Sequence, residues 1–417
     1  MKVFKFGGAS VKDAAGVRNV ANVLAHFPED DLLIVVSAMG KTTNALELVN
    51  AAWQDGEATK PLVDRLRREH LAVLMEVAPH DAAASAELVL HFDRLNALVE
   101  QPAPANGDQG YDQVVAFGEL WSTLIVSAHL NAAGFANKWV DARKIITTDG
   151  RHRMANVKWD ALEDNCATHL PSFGQQPHRI VTQGFIGQTE EGNTTTLGRE
   201  GSDFSAAIFA YALDAESVTI WKDVPGMFNA DPNKFADTRL LEHISYKEAI
   251  ELSYFGASVI HPRTLQPLQR KGIPLYVRSF MDLGAKGSTI SGATDHDTLV
   301  PSFIVKPEQL LISITPRDLS FVVEENLSGI FKLFAARNVR IELMQNSAVA
   351  FTVAVDDTPR AHQLIEDLHR EYEVRYNEGC ELITVRHFDE ATLQQLLQGK
   401  EPLIEQRSRV TARYVVK

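Results

Sequence analysis

The pattern of hydrophobic and polar positions predicts strands that alternate with helices down to about residue 277. Short apolar runs at 3–6, 32–37, 179–182 and 218–221 are typical of buried strands, and amphipathic helical segments lie between them. The run at 32–37 is continuously apolar, as in a strand covered on both faces. Alternation of this kind favours a parallel α/β sheet.

The composition and the order of predicted elements change in the rest of the chain. Residues 284–298 are rich in Gly, Ser, Thr and Asp and predict a linker, so we expect domains at 1–298 and 299–417. The second domain has a β-α-β-β-α-β order typical of ferredoxin-like modules. Its predicted strands are 310–314, 320–323, 339–344, 349–355, 372–376 and 381–386, and its predicted helices are 327–337 and 360–369. After residue 386 only a short helix and two strands fit, so a second module looks shortened.

A Gly- and Thr-rich loop follows the predicted strand at 179–182. The loop ends at Ser202 and Asp203, which are good helix starters, and a helix is predicted at 204–213. Backbone N–H groups, hydroxyls, Arg199 and a helix N-terminus would converge there, as in sites that hold anions. An ordinary polar connection between a strand and a helix is the alternative.

Two other loops follow predicted strands. Lys5 lies in the first predicted strand, which ends before Gly7 and Gly8, and a lysine in a buried strand is costly unless it is paired. Residues 40–42 resemble the end of a P-loop, but Val35 stands where that motif needs glycine. No GxGxxG fingerprint is present, which argues against a nicotinamide enzyme. A predicted helix at 117–132 carries Glu119, and residues 101–112 are predicted to form a loop.

Composition narrows the choice of partners. A net charge of −13 argues against nucleic acid or an anionic membrane as a partner. The two cysteines form no metal or redox motif, and no apolar run is long enough for a signal peptide or a membrane span. We therefore expect a cytoplasmic protein.

Six motifs carry a resemblance that spans nearly the whole chain. They are KFGGAS at 5–10, GELWSTL at 118–124, VTQGFIG at 181–187, TTTLGREGSD at 194–203, DVPGMFNADP at 223–232 and FGASVIHP at 255–262. In these motifs and in their order the chain resembles the aspartokinases of the amino-acid kinase family. The resemblance implies a three-layer αβα kinase domain with a mostly parallel sheet, followed by ferredoxin-like regulatory modules of the ACT type.

The resemblance also implies a reaction and its residues. Aspartokinases transfer the γ-phosphoryl group of ATP to the side chain of L-aspartate, with Mg²⁺, and give 4-phospho-L-aspartate. The implied catalytic residues are Lys5, Glu119, Arg199 and Asp203. The implied substrate-binding residues are Ser37, Thr43, Glu119, Arg199 and Ser202. The implied nucleotide-binding residues are Lys5, Gly7, Gly8, Ser10, Lys222, Asp223, Phe228, Asp231 and Ser258. No dedicated protein cage for a metal is expected.

The chain departs from the family pattern at a few positions. Glu200 stands where the family has glycine, and Ser258 stands where it has a lysine that helps to bind nucleotide phosphates. Because of these changes, a second hypothesis stays open: the chain is a catalytically weak paralogue that senses amino acids. A kinase of another small acid, such as glutamate, is a further alternative, although FGASVIHP and the C-terminal modules weigh against it.

The regulatory region is expected to bind a feedback amino acid. By the same resemblance, the residues expected to form this site are Asn326, Leu327, Glu342, Gln345, Asn346 and Ser347. Glu342 would accept a cationic group, which favours L-lysine over L-threonine as the effector. A polar dimer seam without a ligand is the alternative. The resemblance implies a homodimer or a higher homo-oligomer.

Overall fold

A computed structural model describes residues 1–170, 178–257, 260–318 and 320–417. These residues divide into two compact units. The first unit contains the described residues of Met1–Met227, Leu240–Ile250 and Ser258–Thr294, and the second contains those of Phe228–Arg239, Glu251–Ala257 and Asp295–Lys417. The predicted boundary at 298/299 stays a prediction.

The first part of the chain alternates strands and helices. Strands β1 to β10 are Lys2–Phe6, Leu32–Val36, Lys138–Val140, Arg179–Gln183, Ile186–Gln188, Thr194–Thr196, Ser217–Lys222, His243–Ser245, Leu275–Ser279 and Ser288–Ser291. Helices α1 to α9 are Ala14–Leu24, Thr42–Gln54, Lys60–Val77, Ala82–Val99, Gly107–Ala132, Leu162–His169, Gly201–Ala212, Tyr246–Phe255 and Pro262–Lys271.

Within the described residues, eight of these strands form one sheet in the order β3-β4-β2-β1-β7-β9-β10-β8. Every neighbouring pair is parallel except β9 and β10. Strand β1 lies between β2 and β7 near the centre, and all five residues of β2 are buried. The sequence prediction of a mostly parallel α/β sheet is confirmed.

Alternation along β1 separates two faces of the sheet. Phe4 and Phe6 belong to a large core that also includes apolar residues of α1 to α5. Successive strand residues point to opposite faces, so Lys5 points away from that core. It meets Asp203 of α7 on the other face. This arrangement places the lysine at the end of a buried strand and within reach of a helix N-terminus.

The second unit is built on an antiparallel sheet. Strands β11 to β16 are Ser302–Pro316, Leu343–Asn346, Phe351–Asp356, Tyr372–Arg386, Pro402–Arg407 and Thr411–Val416. Helices α10 to α12 are Glu324–Arg337, Pro359–Leu368 and Glu390–Leu397. In the described residues the strand order is β12-β13-β11-β14-β16-β15.

Two halves share the long strands β11 and β14. The first half has the predicted order β11-α10-β12-β13-α11-β14, and its two helices cover one core. The second half uses the start of β11, the end of β14, β16 and β15, and α12 packs on its core. The prediction of ferredoxin-like modules after the α/β domain is confirmed.

Several predicted boundaries are wrong. Helix α5 begins at Gly107, inside the stretch predicted to be a loop, because Asn106 caps it by accepting a hydrogen bond from the Asp108 N–H at 3.1 Å. Residues 320–323 form no strand; they lead into α10. The strand predicted at 339–344 begins only at Leu343. No helix in the described part of the chain is long and apolar enough to cross a membrane.

Candidate active site

Two lysines share one buried carboxylate at the centre of the candidate site. The Lys5 ammonium lies 2.6 Å from Asp203 Oδ1, and the Lys222 ammonium lies 3.6 Å from Asp203 Oδ2. Burial alone would raise the pKa of Asp203, but the two lysines outweigh it and hold that pKa below its usual value. Two cations therefore converge on one buried carboxylate, an arrangement suited to a phosphate.

The N-terminus of α7 adds a helix dipole at the same place. Helix α7 starts at Gly201, so Ser202 and Asp203 belong to its first turn. Gly184 approaches this turn closely, because a Cβ atom there would lie 2.5 Å from the Ser202 Cβ. The strand-to-loop turn and the helix start thus fit together only with glycine at position 184. The Gly201 and Asp203 N–H groups already donate to the Gly198 and Glu200 carbonyls, at 2.9 and 3.0 Å, so it is the helix dipole that favours a bound anion here.

Glu119 lies on α5 and is fully enclosed. Its Oε1 accepts a hydrogen bond from the Ala38 N–H at 3.3 Å, whereas its Oε2 is buried and has no hydrogen-bond partner in the described residues. Burial raises the pKa of Glu119 to about 8. A buried carboxylate that lacks a cation is completed well by a ligand that carries an ammonium group.

These groups line one cavity of about 550 Å³, which is within the size range of small-molecule sites. Nine of the residues expected from the sequence contribute to its wall: Lys5, Gly8, Ser37, Thr43, Glu119, Arg199, Ser202, Asp203 and Lys222. The cavity thus has a cationic part around Lys5 and an acidic part around Glu119. Arg199 is exposed to solvent and has no paired carboxylate in the described part of the chain.

Three cavity residues other than glycine have positive φ angles. Arg153, Phe185 and Glu200 have φ values of 62°, 71° and 54°. This left-handed region costs a residue with a side chain about 1–2 kcal/mol. Glu200 precedes α7, and its Oε2 is buried without a hydrogen-bond partner in the described residues. Strained residues of this kind concentrate at functional sites.

We expect Glu200→Gly to be more stable than Glu200→Ala by about 1 kcal/mol. Both substitutions remove the carboxylate, but only glycine also relieves the left-handed backbone. Urea unfolding of the two variants, followed by the same probe, measures the difference. Equal midpoints would show that the positive φ angle at this position carries no strain.

Comparison with known proteins agrees with this geometry. The amino acid kinase family matches residues 1–279. Lysine-sensitive aspartokinase 3 of Escherichia coli is 31% identical over 393 residues, which cover 92% of this chain and 86% of that protein. The chain belongs to the aspartokinases.

Solved aspartokinase structures match the whole chain. The crystal structure of E. coli aspartokinase III with lysine and aspartate, described as a T-state, has a TM-score of 0.84 and 28% identity. The structure of the same enzyme with aspartate and ADP, described as an R-state, has a TM-score of 0.82 and 28% identity. Each match covers 100% of this chain and 96% of the other. The resemblance to aspartokinases is therefore confirmed.

Some residues expected at the nucleotide do not line this cavity of the aspartokinase, and their role stays a prediction. Ser10 is buried, and its hydroxyl donates to the Trp221 carbonyl at 3.4 Å. A Cβ atom on Gly7 would lie 3.2 Å from the Lys5 Nζ, so this glycine leaves room for the lysine. Neither residue lines the cavity, and neither does the exposed Asp223.

Two other residues expected at the nucleotide, Phe228 and Asp231, do not line this cavity. Phe228 and Asp231 belong to the second unit. The Asp231 carboxylate accepts a hydrogen bond from the Asn233 N–H at 2.9 Å and so closes a local turn. Ser258 lies outside the described residues.

Part of the cavity wall in this aspartokinase was not predicted from the sequence. Tyr111, Arg153, Phe185 and Glu200 line the cavity beside the expected residues. Tyr111 was hidden in the stretch predicted to be a loop. The backbone of Arg153 is held by Asp112, which is 41 positions away in the chain, and no local sequence pattern predicts a contact over that distance. A positive φ angle at a residue other than glycine is also invisible in a single sequence.

The residues expected to bind an effector surround the start of α10 and the end of β12. The Val322 N–H donates to the Ala348 carbonyl at 2.9 Å, which joins these two segments. Gln345, Asn346 and Ser347 are exposed. Asn326 Oδ1 accepts from the Val323 N–H at 3.4 Å, and the neighbouring Leu327 packs against the module core.

Glu342 differs from this exposed group because it is buried. The Lys306 ammonium lies 2.9 Å from its Oε1, and the Arg340 Nε lies 3.5 Å from the same atom. Its negative charge is therefore already balanced by cations of the chain. A cationic effector would have to compete with Lys306 for this carboxylate.

Proposed function

We propose that this chain transfers the γ-phosphoryl group of ATP to the β-carboxylate of L-aspartate and releases 4-phospho-L-aspartate and ADP. The observation that carries the proposal is the cavity in which Lys5, Asp203, Glu119 and Arg199 converge. Membership of the aspartokinases supports it. A cationic part for phosphate and a buried carboxylate for ammonium are what two such reactants require.

Each part of the cavity has a role in this reaction. The acceptor carboxylate is ionised at neutral pH, so it attacks the γ-phosphorus without a general base. Lys5, fixed by Asp203, stabilises the charge that develops on the transferring group. Glu119 receives the α-ammonium, and Arg199 receives the α-carboxylate. Catalysis then depends on positioning and charge rather than on proton transfer.

In this scheme, Mg²⁺ binds together with the nucleotide. Among the described residues, no group of three or more His, Cys, Asp or Glu side chains could hold a metal ion. Asp203, a carboxylate of the cavity wall, is already shared by Lys5 and Lys222. We propose that Mg²⁺ binds mainly to the ATP phosphates and water, which is its usual behaviour, and helps to neutralise the phosphate charge.

The experiment that tests the proposed function compares acceptors. ADP release is measured with Mg²⁺ and ATP in the presence of L-aspartate, L-glutamate or N-acetylglutamate. Turnover that depends on L-aspartate supports the proposal. Faster ADP release with either of the other acids would indicate a kinase of that acid. No ADP release with any of the three would favour the catalytically weak paralogue that senses amino acids.

We propose that L-lysine inhibits the enzyme by binding to the second unit. The relative named above is lysine-sensitive, and a related structure contains lysine. The polar side chains of Gln345, Asn346 and Ser347 are exposed beside the start of α10, where a helix N-terminus suits an amino-acid carboxylate. Inhibition requires that lysine bind one conformation better than another.

Under this proposal, we expect L-lysine to reduce the aspartate kinase rate more than L-threonine does at equal concentration. Asn346→Ala should raise the lysine concentration needed for half inhibition about tenfold, because one polar contact is lost. Gln395→Ala, an exposed change on α12, serves as the control and should leave inhibition unchanged. Insensitivity of the wild type to both amino acids would contradict the proposal.

Assembly as a homodimer and a cytoplasmic location stay predictions from the sequence.

A further inference from the structure

A loop that the sequence analysis did not single out carries an arginine into the active-site cavity. Residues 149–156 are closed by the Asp149 N–H, which donates to the Asn156 carbonyl at 3.0 Å, and by the Asn156 N–H, which donates to Asp149 Oδ1 at 2.9 Å. The Ala155 N–H donates to the Thr196 carbonyl at 3.0 Å, which fixes the loop to β6. Arg153 lies in this loop and lines the cavity.

A buried carboxylate holds the backbone of this arginine. The Arg153 N–H donates to both oxygens of Asp112, at 3.1 and 3.0 Å. Asp112 is fully buried; it also accepts from the Thr196 hydroxyl at 2.6 Å and pairs with His152 Nδ1 at 2.9 Å. A fully buried carboxylate with this many partners fixes its neighbours rigidly. It therefore offsets the cost of the positive φ angle at Arg153.

The side chain of Arg153 is oriented but not neutralised. Its guanidinium carbon lies 3.9 Å from the centre of the Tyr111 ring, a stacked cation–π contact. Its Nη1 lies 3.3 Å from Asp108 Oδ1, but both side chains are more than half exposed, so this ion pair is weak. The guanidinium thus keeps donors for an anionic ligand.

The position of Arg153 indicates which anion it would meet. Gly198, next to Arg199, comes so close to this loop that a Cβ atom there would lie 3.1 Å from the Arg153 carbonyl oxygen. Two arginines therefore enter the cavity from adjoining loops. Lys5 and Lys222 are engaged at Asp203, the proposed phosphate end. The arginine pair is left for the other reactant.

We propose that Arg153 is a second guanidinium for the α-carboxylate of the acceptor, beside Arg199, and that it selects acceptors with a free α-carboxylate. The proposal rests on the proposed aspartate kinase function. Asp112 and Tyr111 are positioning residues in this proposal: Asp112 holds the Arg153 backbone, and the Tyr111 ring contacts the Arg153 guanidinium.

The test combines a variant with an altered substrate. Arg153→Met should raise KM for L-aspartate about tenfold and change kcat and KM for ATP less than twofold. The α-amide of L-aspartate keeps the β-carboxylate and the ammonium, so the wild type and Arg153→Met should show the same KM for it. Arg151→Met, an exposed arginine of the same loop, is the matched control and should behave as the wild type.

Further variants separate binding from positioning. Arg199→Lys should likewise raise KM for L-aspartate more than KM for its α-amide. Tyr111→Leu should raise KM for aspartate more than Tyr111→Phe, which keeps the aromatic ring. Three results for Arg153→Met would each overturn the assignment. They are an unchanged KM for aspartate, an equal rise of KM for aspartate and for its α-amide, and a rise of KM for ATP alone. A wild type that phosphorylates no acceptor would instead contradict the proposed function.

Discussion

Lys5→Ala is expected to lower kcat about a hundredfold and to change KM for aspartate far less. Lys5 supplies a charge that is already fixed by Asp203 at 2.6 Å before the phosphoryl group moves. Loss of one preorganised charge at a transition state costs about 3 kcal/mol, which corresponds to that factor in rate. Steady-state kinetics with both substrates varied measures the effect.

A matched lysine is available on the same strand. Lys2 lies at the other end of β1 and pairs with the partly exposed Asp30 at 2.7 Å. Lys2→Ala removes the same charge from the chain but not from the cavity, so it should leave kcat unchanged. If Lys5→Ala also kept its kcat, Lys5 would have no part in phosphoryl transfer. Circular dichroism of both variants checks that the fold survives.

Aspartate binding is expected to tighten about twentyfold between pH 6.5 and pH 8.5. Burial raises the pKa of Glu119 to about 8, so at pH 7 this carboxyl is mostly protonated in the empty site. The substrate ammonium requires the ionised form. Binding therefore expels a proton below pH 8, and each unit of pH gained there lowers Kd by up to about tenfold.

Calorimetry in two buffers of different ionisation enthalpy measures the released proton directly. Near pH 7 the expected release is close to one proton for each aspartate bound. Glu119→Gln should abolish the release and flatten the pH profile, because glutamine does not titrate. At pH 8.5 this variant should bind aspartate about 10- to 100-fold more weakly, since one charged hydrogen bond is lost. A pH-independent Kd in the wild type would exclude Glu119 as the ammonium partner.

Local pattern was enough for the elements that form the centre of the site. The apolar run before Gly7, and a lysine inside it, predicted a buried cation that needs a partner, and the structure supplies Asp203. The sequence also predicted a helix here, but with Ser202 and Asp203 as its cap. That cap is wrong, because the helix begins at Gly201 and its N-cap residue, Glu200, makes no side-chain capping bond. The family resemblance added Glu119, whose role no local pattern defines.

The rest depends on contacts that a single sequence does not display. Helix α5 was expected to begin ten residues too late because Gly107 and Gly110 resemble loop residues. A Cβ atom on Gly110 would lie 2.5 Å from the Gln54 Nε2, so this glycine serves helix packing. Arg153 likewise depends on a long-range bond to Asp112. A local cap at Asn106 and the close packing of Gly110 place the start of α5, and a long-range contact places Arg153.

The central claim is tested most directly by trapping the product. Hydroxylamine converts an acyl phosphate to a hydroxamate, so the enzyme is incubated with ATP, Mg²⁺, L-aspartate and hydroxylamine, and both products are quantified. The account predicts one aspartyl hydroxamate for each ADP, and neither product above background when aspartate is omitted. ADP release without hydroxamate, or no ADP release at all, would contradict it.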